Sequence, residues 1–430
     1  MNERERTLYV TLITVLTAFI VAGVVIGGSG VGAATLRLQI APARLIHDYT
    51  ESAGVGAAMI NAALVAGIGL VLVAINGISL SGPTVAAVFT MLGFGLFGKS
   101  VFNVVPILFG VFLAAKLGGK RFGEYILIGL FGTALGPVVT TVAFEVGVVT
   151  GEVTPSVAWI IGAIGAGTIT GFLIPPVAIA MLRLHQGYSL YNIGLTSGFI
   201  ALFAAALLRA GGTPLSGIGI WNSGNDPVSA AIIPVVSFIC LLSGVLTARK
   251  NALRDLARIM KLSGRLPSDF VDIVSSGGAL VNMGIMGLLS WGYIVAVGAP
   301  HNGPTIGAAC TVIGFAAFGK HPRNTWPVVA GVTIGAIVFG FSLSSPGPIL
   351  AALFVTTLAP LAGDFGALIG LVAGFIHFTL VMQSGAWHGG IALYNNGFAG
   401  GFTATLLLAI IEWYRSTHDE TMRRWRRDSK

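Results

Sequence analysis

The stretch SGPTVAAVFTMLGFGLFGK, residues 81–99, recurs as NGPTIGAACTVIGFAAFGK at residues 302–320. The two stretches lie 221 positions apart and are identical at 10 of 19 positions. The same spacing continues without a gap on the carboxyl side, where Asn103, Pro106 and Gly110 correspond to Asn324, Pro327 and Gly331. Self-similarity at a long fixed period indicates an internal duplication.

Two further blocks extend the repeat in the same order along the chain. Leu-Phe-x-Thr-x-Leu-x-Pro occurs at 130–137 and 353–360, and His-x-Gly-x-x-Leu-Tyr-Asn-x-Gly occurs at 185–194 and 388–397. We therefore predict a first repeat at 1–212, a linker at 213–228, a second repeat at 229–416 and a basic tail at 417–430. The spacing falls from 223 to 203 between the blocks, so half one has 20 additional residues, which we place in the loop 148–156.

Charged residues are scarce and unevenly distributed. They make up 9% of the chain, about a third of the share usual in soluble domains. Most of them cluster at 1–6, 249–272 and 412–430, and the rest of the chain is apolar and rich in glycine. A span needs about 20 apolar residues, so there is room for roughly 12 to 14 helices. The composition predicts an all-α, polytopic transmembrane bundle and excludes a soluble enzyme, and the basic clusters at span ends do not indicate nucleic-acid binding.

The basic residues also predict the topology, because they accumulate on the cytoplasmic side of membrane proteins. Each half contains seven apolar runs. If each run crosses the membrane and the amino terminus is cytoplasmic, all the clusters of basic residues lie on the cytoplasmic side. Because seven is odd, the second half is expected to be inverted, with both termini cytoplasmic. Residues 82–97 and 102–116 are short for spans. These two runs, and their counterparts at 303–337, form either tilted spans or a re-entrant hairpin that does not cross the membrane. Each half therefore has 5 to 7 spans, and we predict re-entrant or broken helices.

Polar residues that recur in both halves are the candidate substrate-binding residues, since inverted-repeat transporters bind substrates where their halves meet. Lys99 and Lys320 come first, because an ammonium in an apolar run favours an anionic solute or a carboxylate partner. The alternative is that each lysine reaches the interface and anchors a helix. Thr84 and Thr305 follow Gly-Pro at the start of the short runs, where a helix is expected to begin. A buried helix amino terminus would attract an anion. The alternative is an ordinary helix start at the membrane interface.

Four more repeated pairs complete this set. Asn103 and Asn324 follow the lysines by four residues and either share a face with them or bridge helices. His185 with Asn192 and His388 with Asn395 form either a gate or proton relay, or a structural element. In the structural interpretation the asparagines cap helices and Tyr191 and Tyr394 lie at the membrane interface.

Some polar residues lack a repeated partner. His377 has Ile174 as its counterpart, and Glu145 and Asp364 have none. Asp48 and Asp269 do recur, each four residues after an arginine, and an Arg44–Asp48 ion pair at helical spacing is the simplest explanation. The sequence contains no catalytic motif, phosphate loop or metal-ligand spacing, so we predict no cofactor and no metal.

These patterns favour a transporter or channel for a small polar or anionic solute, without an ATPase domain. The alternative is a membrane-embedded enzyme or scaffold acting on lipid or on a partner protein, built on an asymmetric cluster such as His377 with Asp364 or Glu145. The expected partners are the lipid bilayer and a small-molecule solute, with no nucleic acid. The sequence is also compatible with a homo-oligomer.

The repeated motifs carry a resemblance to a known family. Through FGKSVFNVVPILFGVFLAAK (97–116), LFGTALGPVV (130–139), HQGYSLYNIGLTSGF (185–199) and HGGIALYNNGFAGGF (388–402), the chain resembles bacterial polytopic membrane proteins catalogued as domain of unknown function 1576. The resemblance implies a multi-pass protein of the bacterial inner membrane. It supplies no activity and no catalytic residues.

Overall fold

Helices form the whole regular framework of the protein. The computed structural model describes residues 3–146, 156–215, 219–224 and 226–428. Within these ranges each half has seven longer helical segments and a single-turn helix, Tyr49–Ser52 in half one and Phe270–Ile273 in half two, and there is no strand apart from two isolated bridges. The all-α prediction is confirmed. The predicted extra loop at 148–156 lies almost wholly outside the described residues.

The longer helices are numbered α1 to α14 in chain order. Those of half one are α1 Glu3–Leu38, α2 Val55–Ile75, α3 Gly82–Phe94, α4 Val101–Leu117, α5 Phe122–Val146, α6 Val157–His185 and α7 Asn192–Ala210. Those of half two are α8 Pro227–Ile259, α9 Ser276–Ala296, α10 Gly303–Phe315, α11 Pro322–Val338, α12 Pro346–Phe365, α13 Ala367–Trp387 and α14 Asn395–Asp428.

Ten of these segments are long and apolar enough to cross a membrane. Helices α3, α4 and α10 are apolar but shorter, with 13 to 17 residues. A chain with this many apolar helices is a polytopic membrane protein, which agrees with the scarcity of charge in the sequence.

The two repeats of the opening motif form the centre of the bundle. Helices α3 and α10 pack antiparallel, so that Gly93 faces Gly307 and Ala86 faces Gly314. A methyl group at Gly93 or Gly307 would overlap the carbonyl oxygen of the other glycine. Close approach of this kind requires small residues. Every residue of α10 is buried, which explains why its sequence has no polar stripe.

The turn between α3 and α4 is buried inside the protein. Helix α3 runs antiparallel to α2, with Gly95 against Ala62 and Met91 against Gly69. Asn61 donates from Nδ2 to the carbonyl oxygens of Gly95 (2.7 Å) and Lys99 (2.8 Å). Since Asn61 is six residues into α2, the turn lies roughly 9 Å short of the start of that helix. The α3–α4 hairpin therefore turns back within the fold and does not reach its far end.

Helices α5 and α12 are each broken by a 3-10 segment, at Thr133–Leu135 and Val355–Leu358. Both breaks fall in the Leu-Phe-x-Thr-x-Leu-x-Pro blocks, just before Pro137 and Pro360, where proline removes a helical hydrogen bond. Each break receives a backbone hydrogen bond from the other half. Leu393 N donates to Ala134 O and Leu190 N donates to Thr357 O, both at 3.0 Å.

Candidate functional site

A cavity of about 770 Å³ lies between the two halves. Its lining includes six pairs of residues that are equivalent in the repeat: Thr90 and Thr311, Phe94 and Phe315, Phe131 and Phe354, Leu190 and Leu393, Tyr191 and Tyr394, and Gly194 and Gly397. Because both members of each pair face the same space, this part of the cavity lies where equivalent surfaces of the halves meet.

Aromatic rings form much of this wall. The centroids of Phe94 and Tyr394 are 4.6 Å apart, and those of their counterparts Phe315 and Tyr191 are also 4.6 Å apart. Phe354 stacks on Phe94 at 5.6 Å. The cavity is thus predominantly apolar, with hydroxyl and amide groups at a few positions and the carboxylates of Asp269 and Asp272 in its lining.

Lys99 and Lys320 stand directly behind the two tyrosines. Lys99 Nζ donates to Tyr394 Oη at 2.6 Å, and Lys320 Nζ donates to Tyr191 Oη at 2.5 Å. Each ammonium also lies over the ring of its tyrosine, at 4.8 Å and 4.4 Å from the centroids. Both lysines are 0% exposed, so neither reaches the interface as an anchor. The ion pairs of the described residues involve neither of them.

Asn103 and Asn324 hold the lysine turns in place. Asn103 accepts at Oδ1 from Ser100 N and donates from Nδ2 to Gly98 O, both at 3.0 Å. Asn324 makes the corresponding bonds to His321 N and Gly319 O. Each asparagine closes a capping box at the start of its helix. Neither side chain lines the cavity.

Thr84 and Thr305 have a similar local role. Thr84 Oγ1 accepts from Ser81 N at 2.7 Å, and Thr305 Oγ1 accepts from Asn302 N at 2.9 Å. The helix starts beside them are already occupied by the carboxylates of Asp269 and Asp48. The structure thus places both threonines in helix caps and outside the cavity lining.

Asp48 and Asp269 bind the helix starts of the opposite half. Asp269 accepts from Gly82 N at 3.1 Å, and Asp48 accepts from Gly303 N at 3.2 Å. Burial and the nearby charge of Asp272 raise the pKa of Asp269 to about 6, and burial also raises the pKa of Asp48. The proposed Arg44–Asp48 ion pair is wrong. Arg44 is buried and instead forms an ion pair with Glu145, across 101 positions of sequence that no helical spacing could reveal.

The two histidine–asparagine pairs are formed as buried hydrogen bonds. His185 Nε2 lies 3.0 Å from Asn192 Oδ1, and His388 Nε2 lies 3.0 Å from Asn395 Oδ1. The bonds link the end of one helix to the start of the next, α6 to α7 and α13 to α14. The predicted capping roles of Asn192 and Asn395 are wrong, because each asparagine is the first residue of its helix and donates from Nδ2 to a carbonyl oxygen of the preceding helix, Ala178 O or Val381 O.

The interfacial position expected for the tyrosines is also wrong. Tyr191 and Tyr394 are each only 7% exposed, because each follows a loop that the other half holds by a backbone hydrogen bond at Leu190 or Leu393. The sequence brought Lys99, Lys320, Tyr191 and Tyr394 into one candidate set. It did not show that each lysine contacts the tyrosine of the other half.

One polar pair in the second half has no polar counterpart. His377 Nε2 lies 3.1 Å from Asn396 Oδ1, and Asn396 lines the cavity. The equivalent positions hold Ile174 and Ile193, so both members of the pair differ together. Ile193 also lines the cavity, whose wall is therefore polar in one half and apolar in the other at this position. The search for polar residues repeated in both halves missed Asn396, because its counterpart is Ile193. The signal that could have revealed it is that His377 and Asn396 both stand where half one has isoleucine.

Among the described residues, no hydrogen bond joins His377 to Asp364 or Glu145, the cluster expected for the enzyme alternative, and Asp364 instead contacts Tyr188. Glu145 is engaged by Arg44 and Thr141, and His377 is engaged by Asn396. Across the described ranges no group of three or more histidine, cysteine, aspartate or glutamate side chains is placed to hold a metal ion.

The mouth of the cavity is marked by its exposed lining residues, which are Leu182, Gln186, Pro267 and Asp272. At the other end the inter-half linker covers Asp48: Asp48 N donates to Ile220 O at 3.1 Å, and Asn222 N donates to Asp48 Oδ2 at 3.2 Å. Asn302 adds a bond from Nδ2 to Asn222 O at 2.8 Å. The described part of the linker thus packs over Asp48 and the start of α10, at the end of the bundle opposite the mouth.

The start of α1 and the carboxyl-terminal part of α14 lie on the side of the mouth. Near the amino terminus, Arg4 forms an ion pair with Asp272. In the last helix, Glu412 accepts a hydrogen bond at 2.8 Å from Gln186. The basic segment 249–265 directly precedes this region, so positive charge accumulates at the same end of the bundle.

Fold and site together define a polytopic helical membrane protein with a duplicated framework around a central cavity. The chain matches the family model described as "Protein of unknown function (DUF1576)" over residues 30–210 and 248–413. It belongs to that family, and the resemblance carried by the sequence motifs is confirmed. No curated protein and no solved structure matches the chain.

Proposed function

We propose that the protein is a transporter or channel of the inverted-repeat type for a small solute that carries an anionic or other hydrogen-bond-accepting group. The observation that carries this proposal is the cavity lined by equivalent residues of both halves. Binding where repeats meet is the arrangement that alternating access requires, because a rocking motion of the halves can expose one site to either side.

The antiparallel packing of α3 against α10 supports an inverted relation of the halves. Helix α10 begins beside Asp48, which directly precedes α2, and α3 begins beside Asp269, which directly precedes α9. The segment before the second helix of each half therefore meets the start of the third helix of the other half. The starts of α3 and α10 therefore lie at opposite ends of this helix pair, which favours an inverted relation of the halves.

The basic residues support a cytoplasmic mouth. Positive charge gathers at the end of the bundle that holds the mouth, the start of α1 and the carboxyl-terminal part of α14, and such clusters face the cytoplasm. We propose a multi-pass protein of the bacterial inner membrane, with cytoplasmic termini and a cavity open inward. In this state the linker closes the outward path.

Flux measurements on reconstituted protein test the proposal. In a variant with Cys240→Ala and Cys310→Ala, a cysteine is introduced at Thr90 on the cavity wall or at Ile169 on the exposed face of α6. We expect uptake of at least one anionic or polar solute above that of protein-free vesicles. A bulky thiol reagent should block this uptake with Thr90→Cys and leave it intact with Ile169→Cys. Absence of flux across a broad solute panel, or equal effects at both positions, would contradict the proposal.

A further inference from the structure

We infer that the cavity takes an apolar, ring-bearing molecule with a single anionic oxygen group, of the aromatic monocarboxylate class, and that Asn396 orients it. The inference rests on the proposed function in one respect, that the cavity is the ligand site. It goes further by naming the chemistry of the ligand and the residue pair that selects it.

The walls determine the body of the ligand. A cavity of about 770 Å³ falls within the range of sites for drug-sized molecules. Phe94, Phe315, Phe131 and Phe354 present rings to it, together with the two tyrosines. A small hydrated ion would lose its water here without gaining equivalent contacts, whereas a ring system buries apolar area and stacks at favourable geometry.

The polar groups of the wall offer donors. Asn396 Oδ1 is an acceptor only, so the hydrogen of the 3.1 Å bond resides on His377 Nε2. This bond fixes the amide and leaves both N–H groups of Asn396 Nδ2 without a hydrogen bond to the described residues. Tyr394 Oη accepts from Lys99 and retains its own hydroxyl hydrogen to donate. A ligand that reaches Asn396 and Tyr394 must therefore bring an acceptor.

The two buried lysines determine the sign of charge. Aromatic cages ordinarily attract cations. Here each of the rings of Tyr191 and Tyr394 already has a lysine Nζ over it, and neither lysine forms an ion pair within the described residues. The two carboxylates of the lining are engaged elsewhere, Asp269 by Gly82 N and Asp272 by Arg4. An anionic group in the cavity would stabilise the charged form of both lysines, whereas a cationic ligand would oppose it.

The difference between the halves limits the ligand to one polar end. Asn396 has the apolar Ile193 as its counterpart on the wall, and His377 has Ile174. A symmetric dianion would leave one of its groups against isoleucine, unpaired and desolvated. The geometry points to one acceptor group near Asn396 and an apolar remainder on the side of Ile193.

Equilibrium binding of three probes with the same ring tests this. The probes are 2-naphthoate, 2-naphthylmethanol and 2-naphthylmethylammonium, titrated by calorimetry near pH 7 into the full chain purified in detergent. We expect the carboxylate to bind about tenfold more tightly than the alcohol. The ammonium should bind most weakly.

Two variants locate the preference. His377→Ile combined with Asn396→Ile installs the residues that half one carries, and Asn396→Leu alone removes the donors at similar volume. Both should lose more affinity for the carboxylate than for the alcohol, because a hydrogen bond to a charged acceptor is the stronger of the two, so most of the preference should disappear. Asn76→Ala, an amide outside the cavity lining, is the control that should change nothing.

The outcomes separate the inference from the proposed function. Equal binding of the three probes, tightest binding of the ammonium, no binding of any probe, or a carboxylate preference that survives in both variants would overturn the inference. If the carboxylate is preferred and the preference depends on Asn396, the inference holds even when no probe crosses reconstituted vesicles. In that case it is the transport proposal that fails.

Discussion

Lys99 and Lys320 are the residues at which structural and functional roles can be separated by mutation. A buried ammonium without a carboxylate partner lowers stability, and an apolar side chain of similar length removes that penalty. We expect Lys99→Met and Lys320→Met to unfold at the same temperature as the wild type or higher. Flux should nevertheless fall roughly tenfold or more, because the donor behind each tyrosine is lost.

Thermal unfolding in detergent and vesicle flux on the same samples check this prediction. Lys116→Met serves as the control, since Lys116 lies in the last turn of α4, away from the cavity lining. If the methionine variants unfold early and their flux falls only in proportion to the folded fraction, the lysines are structural.

Asp269 gives a prediction for pH dependence. Its pKa is raised from 3.8 to about 6, so the folded protein binds this proton more tightly than the unfolded chain does. The stabilisation from the bound proton is complete below about pH 4 and is lost as the pH rises through 6. Asp269→Asn does not titrate, so it should unfold at a higher temperature than the wild type at pH 7, with the difference shrinking toward pH 4.

The control for this series is Asp226→Asn, for which the opposite trend is expected. Burial acts to raise the pKa of Asp226, but hydrogen bonds from Ser229 and Val228 outweigh it and leave the pKa lowered. Its contribution to stability is present above its unfolded pKa and is lost as the pH falls. Parallel behaviour of the two variants would refute the assignment for Asp269.

The limits of sequence reasoning are clearest at single residues. Symmetry selected Lys99 and Tyr394 because each has a repeated counterpart. Their contact joins positions 295 apart, and no local pattern encodes such a distance. Local rules favoured helix capping by Asn192 and an Arg44–Asp48 pair. In the structure, contacts across the fold replace both, because a buried polar group bonds to whatever partner packing supplies.

At the level of helices, the contact between α3 and α10 is the most constrained. Gly93→Ala places a methyl group against the carbonyl of Gly307, so the helices must separate. We expect a loss of about 1–3 kcal/mol in the free energy of unfolding, as for overpacked cores. The matched control is Gly67→Ala in α2, where a methyl group meets open space and stability should stay within about 1 kcal/mol of the wild type. Denaturant titration in mixed micelles compares them, and equal losses would contradict the assigned contact.

Helix positions were accessible from the sequence because apolar runs and repeated blocks mark them directly. The sequence left open whether residues 82–116 form two spans or a re-entrant hairpin. That depends on the depth of the turn, which Asn61 sets from a neighbouring helix by bonding to Gly95 and Lys99. The lengths of the two apolar runs carry no information about these hydrogen bonds from Asn61.

At the scale of the whole molecule, the proposed topology predicts which surfaces face the same compartment. Lys120 is exposed beyond α4 at the end of the bundle that holds the mouth, and Ser223 is exposed on the linker at the opposite end. In cells, a membrane-impermeant thiol reagent should label Ser223→Cys from outside. Lys120→Cys should react only after the membrane is permeabilised, as should cysteines added at either terminus. Labelling of both single-cysteine variants from outside would refute the topology.

The contacts between the halves are reciprocal: each lysine turn meets the tyrosine loop of the other half, and each helix start meets the other half's aspartate. One half therefore already contains every member of these contacts. A single half-length ancestor inserted in both orientations would form all of them as a dual-topology homodimer. In such a homodimer, however, the two sides of the cavity are the same gene product. Duplication of the gene frees the two sides to differ, and fusion joins the two different copies in one chain, so that histidine and asparagine on one side of the cavity always meet isoleucine on the other.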